Sequence, residues 1–346
     1  MEVAIDVGYG YVKAVSATGT RIVFPAIYAP DTDDAAWNAT FGQAQTDRIR
    51  WIPAGGAPED YWVGEAARRR PGARRPWADR AVDRAGYAFL VDAALAQILP
   101  ATDPIALLDV AVGLPLALFS QHKAGMEALL RDHRATVESS PGHRRQWTYR
   151  SVTVMPQAAG AYYAATARHP DWVSRTGLTV VVDVGYRTTD YFVIEPHGHG
   201  IRPVRALSGS FDWGLVGVTE TVRRDLERST GHLMDPLRVE AGLAAHPAEI
   251  RYQGTPVDLE PLRRRALVDL AHQVLDGLRG VWGPALSDVE HVIVAGGGAA
   301  GIVETVQAVW PDTVLADDPM MANALGFLTM LQMQRRATTG AAGAAL

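Results

Sequence analysis

Two short apolar runs in the chain each lead into an aspartate, one further apolar residue and a glycine. Residues 3–9 are Val-Ala-Ile-Asp-Val-Gly-Tyr, and residues 180–186 are Val-Val-Val-Asp-Val-Gly-Tyr. Because β-prone residues follow each glycine, each run predicts a strand, a tight turn and a second strand, which together form a β-hairpin. The copies begin about half a chain apart, and this spacing predicts two domains built on the same plan.

A third apolar run, residues 291–295, leads into a glycine cluster and then into a helical pattern. The cluster, residues 296–301, has the G-x-G-x-x-G form of a dinucleotide-binding turn, and Asp317 lies near the offset of a ribose-binding carboxylate. A dinucleotide-binding oxidoreductase is therefore one interpretation. However, that fingerprint normally opens the first βαβ unit of its fold, and it would leave the paired aspartates unexplained. A glycine turn that packs flat against an adenosine fits both observations better.

Apolar residues at helical spacing occur in two further stretches, and both predict helices that face a core. They are Leu215, Val218, Val222 and Leu226, and then Leu262, Ala266, Leu267, Leu270, Val274, Leu275 and Leu278. By contrast, the Ala- and Gly-rich residues 337–346 are expected to form a flexible tail.

The composition excludes several classes of protein but does not indicate a function. Of the 346 residues, 48% are hydrophobic and 21% are charged, which excludes a fibrous or largely disordered chain. The net charge of −5 gives no general attraction to DNA or acidic lipid, so we expect neither direct nucleic-acid binding nor a membrane partner. The absence of cysteine excludes a disulfide framework. No apolar run reaches the ~18 residues of a spanning helix, so a cytoplasmic protein is expected.

The paired aspartates, Asp6 and Asp183, indicate metal and phosphate chemistry. A carboxylate at the end of a buried strand is costly unless another group satisfies it. Two such carboxylates that face each other across a cleft could hold a hydrated Mg²⁺, which prefers oxygen ligands and keeps several waters. The glycines beside them leave backbone N–H groups free to contact phosphate oxygens.

These motifs and several weaker ones stand in an order that resembles a known superfamily. In sequence they are Asp6-x-Gly8 with Lys13, Val112-Gly-Leu-Pro115, Pro156-Gln157-x-x-Gly160-Ala161, Asp183-x-Gly185-x-x-Thr188-Thr189-Asp190, Gly296-Gly-Gly298 and Ala322-Asn-Ala-x-Gly326. From residue 3 to residue 330 the chain resembles the actin/Hsp70/sugar-kinase ATPase superfamily. Within it, the chain most closely resembles the bacterial and archaeal actin-like proteins of the plasmid-segregation ParM/StbA type.

The resemblance implies an α/β, actin-like (ribonuclease H-like) fold. Its two like-folded domains would each have a mixed sheet flanked by helices, with ATP or ADP and Mg²⁺ in the cleft between them. Domain I would comprise residues 1–155 and 320–346, with a smaller subdomain at residues 24–98. Domain II would comprise residues 156–319, with a smaller subdomain at residues 208–288.

The resemblance also implies which residues bind the nucleotide and the metal. Asp6 and Asp183 would hold the metal through its water shell. The phosphates would contact two loops and the adenosine a glycine turn, formed by Gly8, Tyr9, Gly10 and Lys13, by Gly185, Tyr186, Arg187, Thr188 and Thr189, and by Gly296, Gly297 and Gly298. Glu220 and Arg224 lie on a helix expected near the adenine and ribose.

The implied catalytic residues are Gln157, Asp183 and Asp190. Gln157 lies where the family places the residue that orients the attacking water, and it precedes a helix that Gly160 would allow to pack closely. ParM has glutamate there; a neutral amide can orient a water but cannot take its proton, so slow hydrolysis by water positioning is expected. Asp190 is a second candidate for holding the water, or else it lies on the exposed face of its strand. Tyr186 replaces a glycine of ParM-like loops and is expected to narrow the approach to the phosphates.

One basic segment does not belong to these motifs. It contains Arg68, Arg69, Arg70, Arg74, Arg75 and Arg80. A nucleic-acid patch is one interpretation. A solvated or partner-facing loop is favoured, because the chain as a whole is acidic and because this family usually reaches DNA through an adaptor protein.

The function implied is that of an ATP hydrolase that polymerises head to tail with copies of itself. Hydrolysis would destabilise the filaments, in the service of plasmid or DNA segregation or of cytoskeletal positioning, with a DNA-binding adaptor as a partner. Two alternatives stay open: a non-polymerising actin-like ATPase scaffold, and a small-molecule kinase of the same superfamily.

Overall fold

The chain forms two compact units. The structure is a computed structural model, and it describes residues 1–32, 47–78, 81–100, 105–139, 143–198 and 200–343. Unit 1 comprises Met1–Ala164 and Asn323–Leu346, and unit 2 comprises Ala165–Ala322. The chain therefore leaves unit 1 once and returns to it once.

Unit 1 is built on a mixed sheet. Its strands are β1 (Glu2–Val7), β2 (Tyr11–Ser16), β3 (Arg21–Pro25), β4 (Tyr28–Pro30), β5 (Arg48–Pro53), β6 (Glu59–Val63), β9 (Ala106–Leu114), β10 (Ala135–Ser139) and β11 (His143–Pro156). They lie in the order β3-β2-β1-β9-β11-β10-β5-β6-β4. Two short strands, β7 (Trp77–Ala78) and β8 (Ala81–Val82), pair separately. Strand β1 is buried along its whole length because it is an inner strand of this sheet.

Unit 2 has a second mixed sheet. Its strands are β12 (Leu178–Val184), β13 (Thr189–His197), β14 (Gly200–Pro203), β15 (Gly209–Phe211), β18 (Val289–Ala295) and β19 (Thr313–Leu315). They lie in the order β14-β13-β12-β18-β19, and β15 pairs with β13. A separate hairpin consists of β16 (Glu249–Tyr252) and β17 (Thr255–Asp258).

The two sheets share one five-strand plan. In unit 1, β3, β2 and β1 are successively antiparallel, and β9 and β11 then continue in parallel. In unit 2, β14, β13 and β12 are antiparallel in the same way, and β18 and β19 then continue in parallel. The prediction of two like-folded domains is therefore confirmed. In both sheets the strand that carries the aspartate, β1 or β12, is the first of the parallel strands.

Helices flank the strands in both units. They are α1 (Arg84–Ile98), α2 (Leu116–Asp132), α3 (Ala159–Arg168), α4 (Leu215–Thr230), α5 (Pro236–Ala244), α6 (Glu260–Trp282), α7 (Ala299–Gln307) and α8 (Ala322–Gly343). Helix α1 is buried at nearly every position, and the side chain of Asp83 caps its start by accepting from the Gly86 N–H group. The unit boundaries fall within α3 and at the first residue of α8.

The apolar stripes predicted for unit 2 do face its core. Leu226 of α4 and Val274, Leu275 and Leu278 of α6 are almost completely buried. They pack in one cluster with the buried residues of β12 and β18. Burial of each such side chain stabilises the fold by roughly 1.5–3 kcal/mol.

Within unit 1, the start of α3 and the start of α8 touch backbone to backbone. A Cβ atom on Gly160 would lie 2.6 Å from the carbonyl oxygen of Asn323. A Cβ atom on Gly326 would lie only 1.7 Å from the carbonyl oxygen of Gly160. As expected for Gly160, the absence of side chains permits this approach.

The expectation of a flexible tail from residue 337 is wrong up to Gly343, because α8 extends to that residue. Alanine is the strongest helix former, so an Ala-rich segment continues a helix that is already nucleated. Residues 344–346 lie outside the described part of the chain. No helix in the described ranges combines the length and the hydropathy that spanning a bilayer requires.

Candidate nucleotide site

The first hairpin brings a carboxylate and an ammonium group together. We call residues 6–13 loop 1. Asp6 is directly opposite Lys13 in the antiparallel pairing of β1 with β2. Lys13 Nζ lies 3.0 Å from Asp6 Oδ2, and the Gly8 N–H group closes the turn on the carbonyl oxygen of Tyr11 at 3.0 Å. Loop 1 therefore carries its own counter-charge, and the lysine amino group is held beside the turn.

The side chain of Gln157 meets the same carboxylate from the end of β11. Gln157 Nε2 donates to Asp6 Oδ1 at 2.6 Å, and both residues are buried. Because an ionised carboxylate can only accept, the amide must present its nitrogen to Asp6. Gln157 Oε1 is thereby left as the acceptor end of the side chain. Both Asp6 oxygens already accept one donor, so a metal-bound water would have to use their remaining lone pairs.

Ala158, immediately after Gln157, is held in an unusual backbone conformation. Its φ is +67°, in the left-handed region that favours glycine, and the residue is fully buried. Asn323 Oδ1 accepts from the N–H groups of Ala158 and Ala161, at 2.9 and 3.2 Å. These contacts fix the turn that aims Gln157 at Asp6, because they hold the backbone on its C-terminal side.

The Ala158→Gly variant is expected to be nearly neutral in stability, within about 1 kcal/mol. Relief of the left-handed conformation, about 1–2 kcal/mol, offsets the loss of a buried methyl group and the greater freedom of the unfolded chain. Ala161→Gly is the control, because Ala161 is equally buried within α3. We expect that variant to cost about 1.5–2 kcal/mol in the free energy of unfolding. Urea denaturation would measure both, and equal losses would contradict strain at Ala158.

A segment between β6 and α1 holds the outer side of loop 1. Arg75 Nη1 donates to the carbonyl oxygens of Tyr9 and Gly10, at 2.8 and 3.2 Å. Trp77 Nε1 donates to the carbonyl oxygen of Val7 at 3.1 Å, and its ring packs against that of Tyr9. Since a trans peptide points its N–H opposite to its C=O, the Gly10 N–H group faces away from Arg75. That N–H group therefore lies on the side of loop 1 opposite Arg75.

These contacts correct the expectation of a solvated or partner-facing basic loop. Besides Arg75, Arg68 is buried and paired with Glu65, and Arg70 lies over the ring of Trp62 at 3.7 Å. Only Arg69 and Arg74 are exposed among the arginines of the segment that the structure describes, and Arg80 lies outside the described residues. Most of these side chains therefore pack on the protein.

The second hairpin pairs two carboxylates instead. We call residues 183–190 loop 2. Asp183 is directly opposite Asp190 in the pairing of β12 with β13, and the two residues are 7% and 2% exposed. The alternative of Asp190 on the exposed face of its strand is therefore wrong. Directly opposite residues have Cβ atoms about 4.5–5.5 Å apart, and like charges there repel. The two carboxylates of loop 2 therefore favour a bound cation, whereas in loop 1 the ammonium group of Lys13 already offsets the charge of Asp6.

Helix α4 begins against loop 2. The Gly185 N–H group closes the turn on the carbonyl oxygen of Thr188, as Gly8 does in loop 1. The carbonyl oxygens of Gly185 and Tyr186 accept from the N–H groups of Leu215 and Val216, at 3.1 and 2.7 Å. The N–H groups of Tyr186 and Arg187 must then face away from α4. Loop 2 thus directs these two backbone donors to the side opposite helix α4.

Two predicted side-chain contacts of loop 2 differ from expectation. Thr189 is fully buried, and its hydroxyl donates to the carbonyl oxygen of Trp213 at 2.7 Å. The hydroxyl of Tyr186 donates to Glu240 Oε2 on α5 at 2.7 Å. The Tyr186 side chain is therefore directed at α5, which speaks against the expected narrowing of the phosphate approach.

The glycine turn, residues 296–298, is packed against the end of β12. A Cβ atom on Gly296, whose φ is +89°, would lie 2.4 Å from Asp183 Oδ1. One on Gly298 would lie 2.5 Å from a side-chain carbon of Val184. One on Gly297 would meet only ordinary contacts, at 3.6 Å or more. The packing of the protein therefore requires glycine at 296 and 298, whereas it leaves room for a Cβ atom at 297.

The two residues proposed on α4 are arranged differently from each other. Glu220 accepts two hydrogen bonds from Arg223. Arg223 was not predicted from the sequence to lie at the site. Its position three residues after Glu220 on a helix was the pattern that could have indicated this ion pair. Those hydrogen bonds lower the pKa of Glu220. Arg224 is exposed, and its guanidinium contacts the backbone of Glu220 and the hydroxyl of Thr221. Neither residue contacts loop 2 or the glycine turn through a bond that the structure records.

The residues that could hold Mg²⁺ are few. Within the described ranges, no group of three or more acidic or histidine side chains converges as a metal-binding cluster. Asp183 and Asp190 do fit a hydrated Mg²⁺, because this ion keeps several waters and needs only one or two carboxylates from the protein.

Comparisons with known proteins show which proteins the chain is similar to. A model of the actin-like protein N-terminal domain matches residues 4–160, and a model of the C-terminal part of the archaeal actin homologue, MreB-like, matches residues 181–308. The chain is 27% identical over 333 residues to an archaeal actin homologue of Thermoplasma acidophilum, covering 94% of this chain and 97% of that protein. A homologue from Thermoplasma volcanium is 26% identical with the same coverage.

Solved structures show the same fold. A 15-stranded ParM filament from Clostridium botulinum superposes with a TM-score of 0.81 at 22% identity, covering 96% of this chain and 99% of that one. The archaeal actin homologue Ta0583 in complex with ADP superposes with a TM-score of 0.78 at 23% identity and the same coverage. The resemblance to actin-like proteins and the actin-like fold class expected from the sequence are confirmed, because the two family models match successive parts of the chain and the solved structures share its fold.

Proposed function

We propose that this protein is an actin-like ATPase that binds MgATP through loop 1, loop 2 and the glycine turn. It assembles with copies of itself into head-to-tail filaments, and hydrolysis destabilises them. Heterologous contacts of this kind extend into open filaments when the rotation between subunits does not close a ring. The cellular role that follows is segregation of plasmid or other DNA, or cytoskeletal positioning, in the cytoplasm.

The observation that carries the proposal is the repeated hairpin with different charges on its two copies. Loop 1 holds an ammonium group beside its turn, which suits a phosphate. Loop 2 holds two buried carboxylates, which suit a cation. Both loops fix their carbonyl groups against protein donors, so that backbone N–H groups face outward, as anion-binding turns require. Phosphates and their metal demand this combination of donors and carboxylates.

Each side chain then has a defined task. Lys13 contributes positive charge to the phosphates, and the N–H groups of Gly10, Tyr186 and Arg187 donate to their oxygens. Mg²⁺, when bound, offsets the charge of the phosphates. Gln157 orients a water through Oε1, because Asp6 engages its nitrogen. The amide cannot accept the proton, so turnover is slow.

Gln157→Ala should slow ATP hydrolysis about 100-fold while the affinity for nucleotide changes little, because loss of one preorganised hydrogen-bonding group from a catalytic site costs about 10²–10³-fold. The measurements are phosphate release at saturating ATP and the Kd for MgATP. Gln146→Ala is the matched control, since Gln146 bonds Thr136 in the same unit and does not contact loop 1. Lost binding with unchanged chemistry would contradict the assigned role.

Assembly is the second part of the proposal. A similar ParM was solved as a filament, which supports self-association of this chain. The net charge of −5 disfavours direct attachment to DNA, so a DNA-binding adaptor protein is the partner that segregation would require.

Light scattering and pelleting at micromolar protein test assembly directly. We expect scattering to rise with MgATP and to fall as phosphate is released, and to stay low with MgADP or without nucleotide. ATP turnover without any rise in scattering would replace the filament by the non-polymerising scaffold. Phosphate that appears on a small acceptor instead of in solution would replace the hydrolase by a kinase. The absence of nucleotide binding would remove the proposal altogether.

A further inference from the structure

We propose that Tyr186 and Glu240 form a positioning pair that sets the shape of loop 2 for nucleotide phosphates and ties it to helix α5. The proposal rests on the proposed function, because it concerns how the same loop binds its ligand. Its basis is a hydrogen bond of 2.7 Å from the Tyr186 hydroxyl to Glu240 Oε2. Both residues belong to unit 2.

The burial of Glu240 strengthens the effect of this hydrogen bond on the Tyr186 side chain. Glu240 is only 8% exposed, and a carboxylate with so little access to water depends on protein donors. A hydrogen bond to a charged group is stronger than one between neutral groups. The Tyr186 hydroxyl is therefore held in place more firmly than an ordinary surface phenol would be.

Helix α5 is itself well anchored, so it can serve as a fixed support. Asp235 caps its start, accepting from the N–H groups of Leu237 and Arg238 at 2.7 and 3.1 Å. Gly242 packs so closely that a Cβ atom there would lie 2.8 Å from the carbonyl oxygen of Glu249 in β16. A side chain tied to Glu240 is consequently tied to the α5 and β16 segment.

Two helices therefore hold loop 2 through hydrogen bonds to a single residue, Tyr186. The carbonyl group of Tyr186 accepts from Val216 of α4, while its side chain bonds α5. Gly214 allows the first of these contacts, since a Cβ atom there would lie 2.8 Å from the carbonyl oxygens of Gly185 and Tyr186. A residue fixed at both its backbone and its side chain holds its own N–H group, and that of Arg187, in a defined direction.

This arrangement explains why tyrosine suits a position where a glycine is expected in similar loops. A glycine would leave the peptide groups of loop 2 more conformational freedom, which a ligand would have to restrict on binding. The tyrosine removes that freedom beforehand. The phenol acts through the loop and does not itself contact the phosphates.

The test is a set of variants compared by their Kd for MgATP and MgADP and by their melting temperatures without nucleotide. Tyr186→Phe removes only the hydroxyl, and we expect it to raise both Kd values about tenfold, as a lost hydrogen bond of 1.4 kcal/mol would. Glu240→Ala should have the same effect, and the double variant should be no worse than either single one. Glu240→Gln keeps an acceptor oxygen and should bind nucleotide almost as well as the wild type.

Tyr252→Phe is the matched control, because Tyr252 lies in β16 of the same unit and its hydroxyl accepts only a weak contact of 3.3 Å from Gln253. If Tyr186→Phe lowers the melting temperature but leaves both Kd values like those of the control, the pair is merely structural and the inference is wrong. Additive effects in the double variant would also overturn it. A wild-type protein that binds no nucleotide would instead defeat the proposed function, and this inference with it.

Discussion

Asp183→Ala is expected to abolish ATP turnover, with a loss of at least about 10³-fold, while the protein stays folded. Removal of a group that positions charge at a phosphoryl-transfer centre typically costs 10²–10³-fold or more. Asp183 is buried at the carboxyl end of β12, opposite Asp190 and packed against the glycine turn. Its loss would leave Asp190 as the only carboxylate of that cross-strand pair.

We expect Asp183→Ala to lower activity without lowering stability, because the lost carboxylate lies directly opposite that of Asp190. Removing one of two like charges on directly opposite residues relieves repulsion, so the melting temperature without nucleotide should not fall appreciably. Steady-state phosphate release and a thermal melt would give the two numbers. Full activity in Asp183→Ala would sink the assignment of loop 2.

Asp317→Ala is the control in the same unit. Asp317 pairs with Arg168 and His169 at a more exposed position, away from loop 2. A dinucleotide-binding fold would need a carboxylate at that offset for the ribose, whereas the actin-like assignment does not. We therefore expect Asp317→Ala to keep the affinity for nucleotide, and a large loss would revive the dinucleotide interpretation.

Gly326→Ala should severely destabilise unit 1. The added methyl group would lie 1.7 Å from the carbonyl oxygen of Gly160, which is a backbone atom that cannot rotate away. Helices α3 and α8 would have to separate, at a cost of about 3 kcal/mol or more, the upper range for overpacked positions. A destabilisation of this size lowers the melting temperature of a unit of this size by about 6–12 °C.

Gly280→Ala provides the matched comparison. Gly280 lies in α6, is exposed, and has no atom within 4 Å of an added Cβ. Alanine in a helix interior is favoured over glycine by about 1 kcal/mol, so that variant should melt slightly higher than the wild type. Thermal melts of both variants measure the effect. Equal melting temperatures for Gly326→Ala and the wild type would show that the helices are not in backbone contact.

The parts of the fold that the sequence predicts are those specified locally. Each hairpin is encoded in about ten consecutive residues, and the glycine turn in a few more, so pattern and turn chemistry are sufficient. The apolar stripes of α4 and α6 are periodic over several turns, so these helices can be predicted equally well from the sequence. The repeat of one hairpin implied the repeat of a whole sheet, because like strands with like connections make like sheets.

The contacts that complete the candidate site are long-range, and no local pattern encodes them. Arg75 and Trp77 reach loop 1 from a segment about seventy positions away along the chain. In the sequence they lie in an arginine-rich stretch, and its composition led us to expect a loop exposed to solvent or to a partner. Glu240 likewise gave no signal, because an acidic residue on an amphipathic helix normally faces water. The Tyr186 hydroxyl, which donates to it, helps to explain its burial.

The cap that Asn323 supplies to α3 also sets an order of assembly during synthesis. Asn323 accepts from the N–H groups of Ala158 and Ala161, yet it lies more than 160 positions later in the chain. Chains emerge from the ribosome N-terminus first and fold domain by domain. The segment that carries Gln157 must therefore wait, uncapped, until all of unit 2 has been translated. A nascent chain that stops before residue 323 would have both hairpins and the glycine turn, but Gln157, the residue proposed to orient a water, would still lack a fixed position.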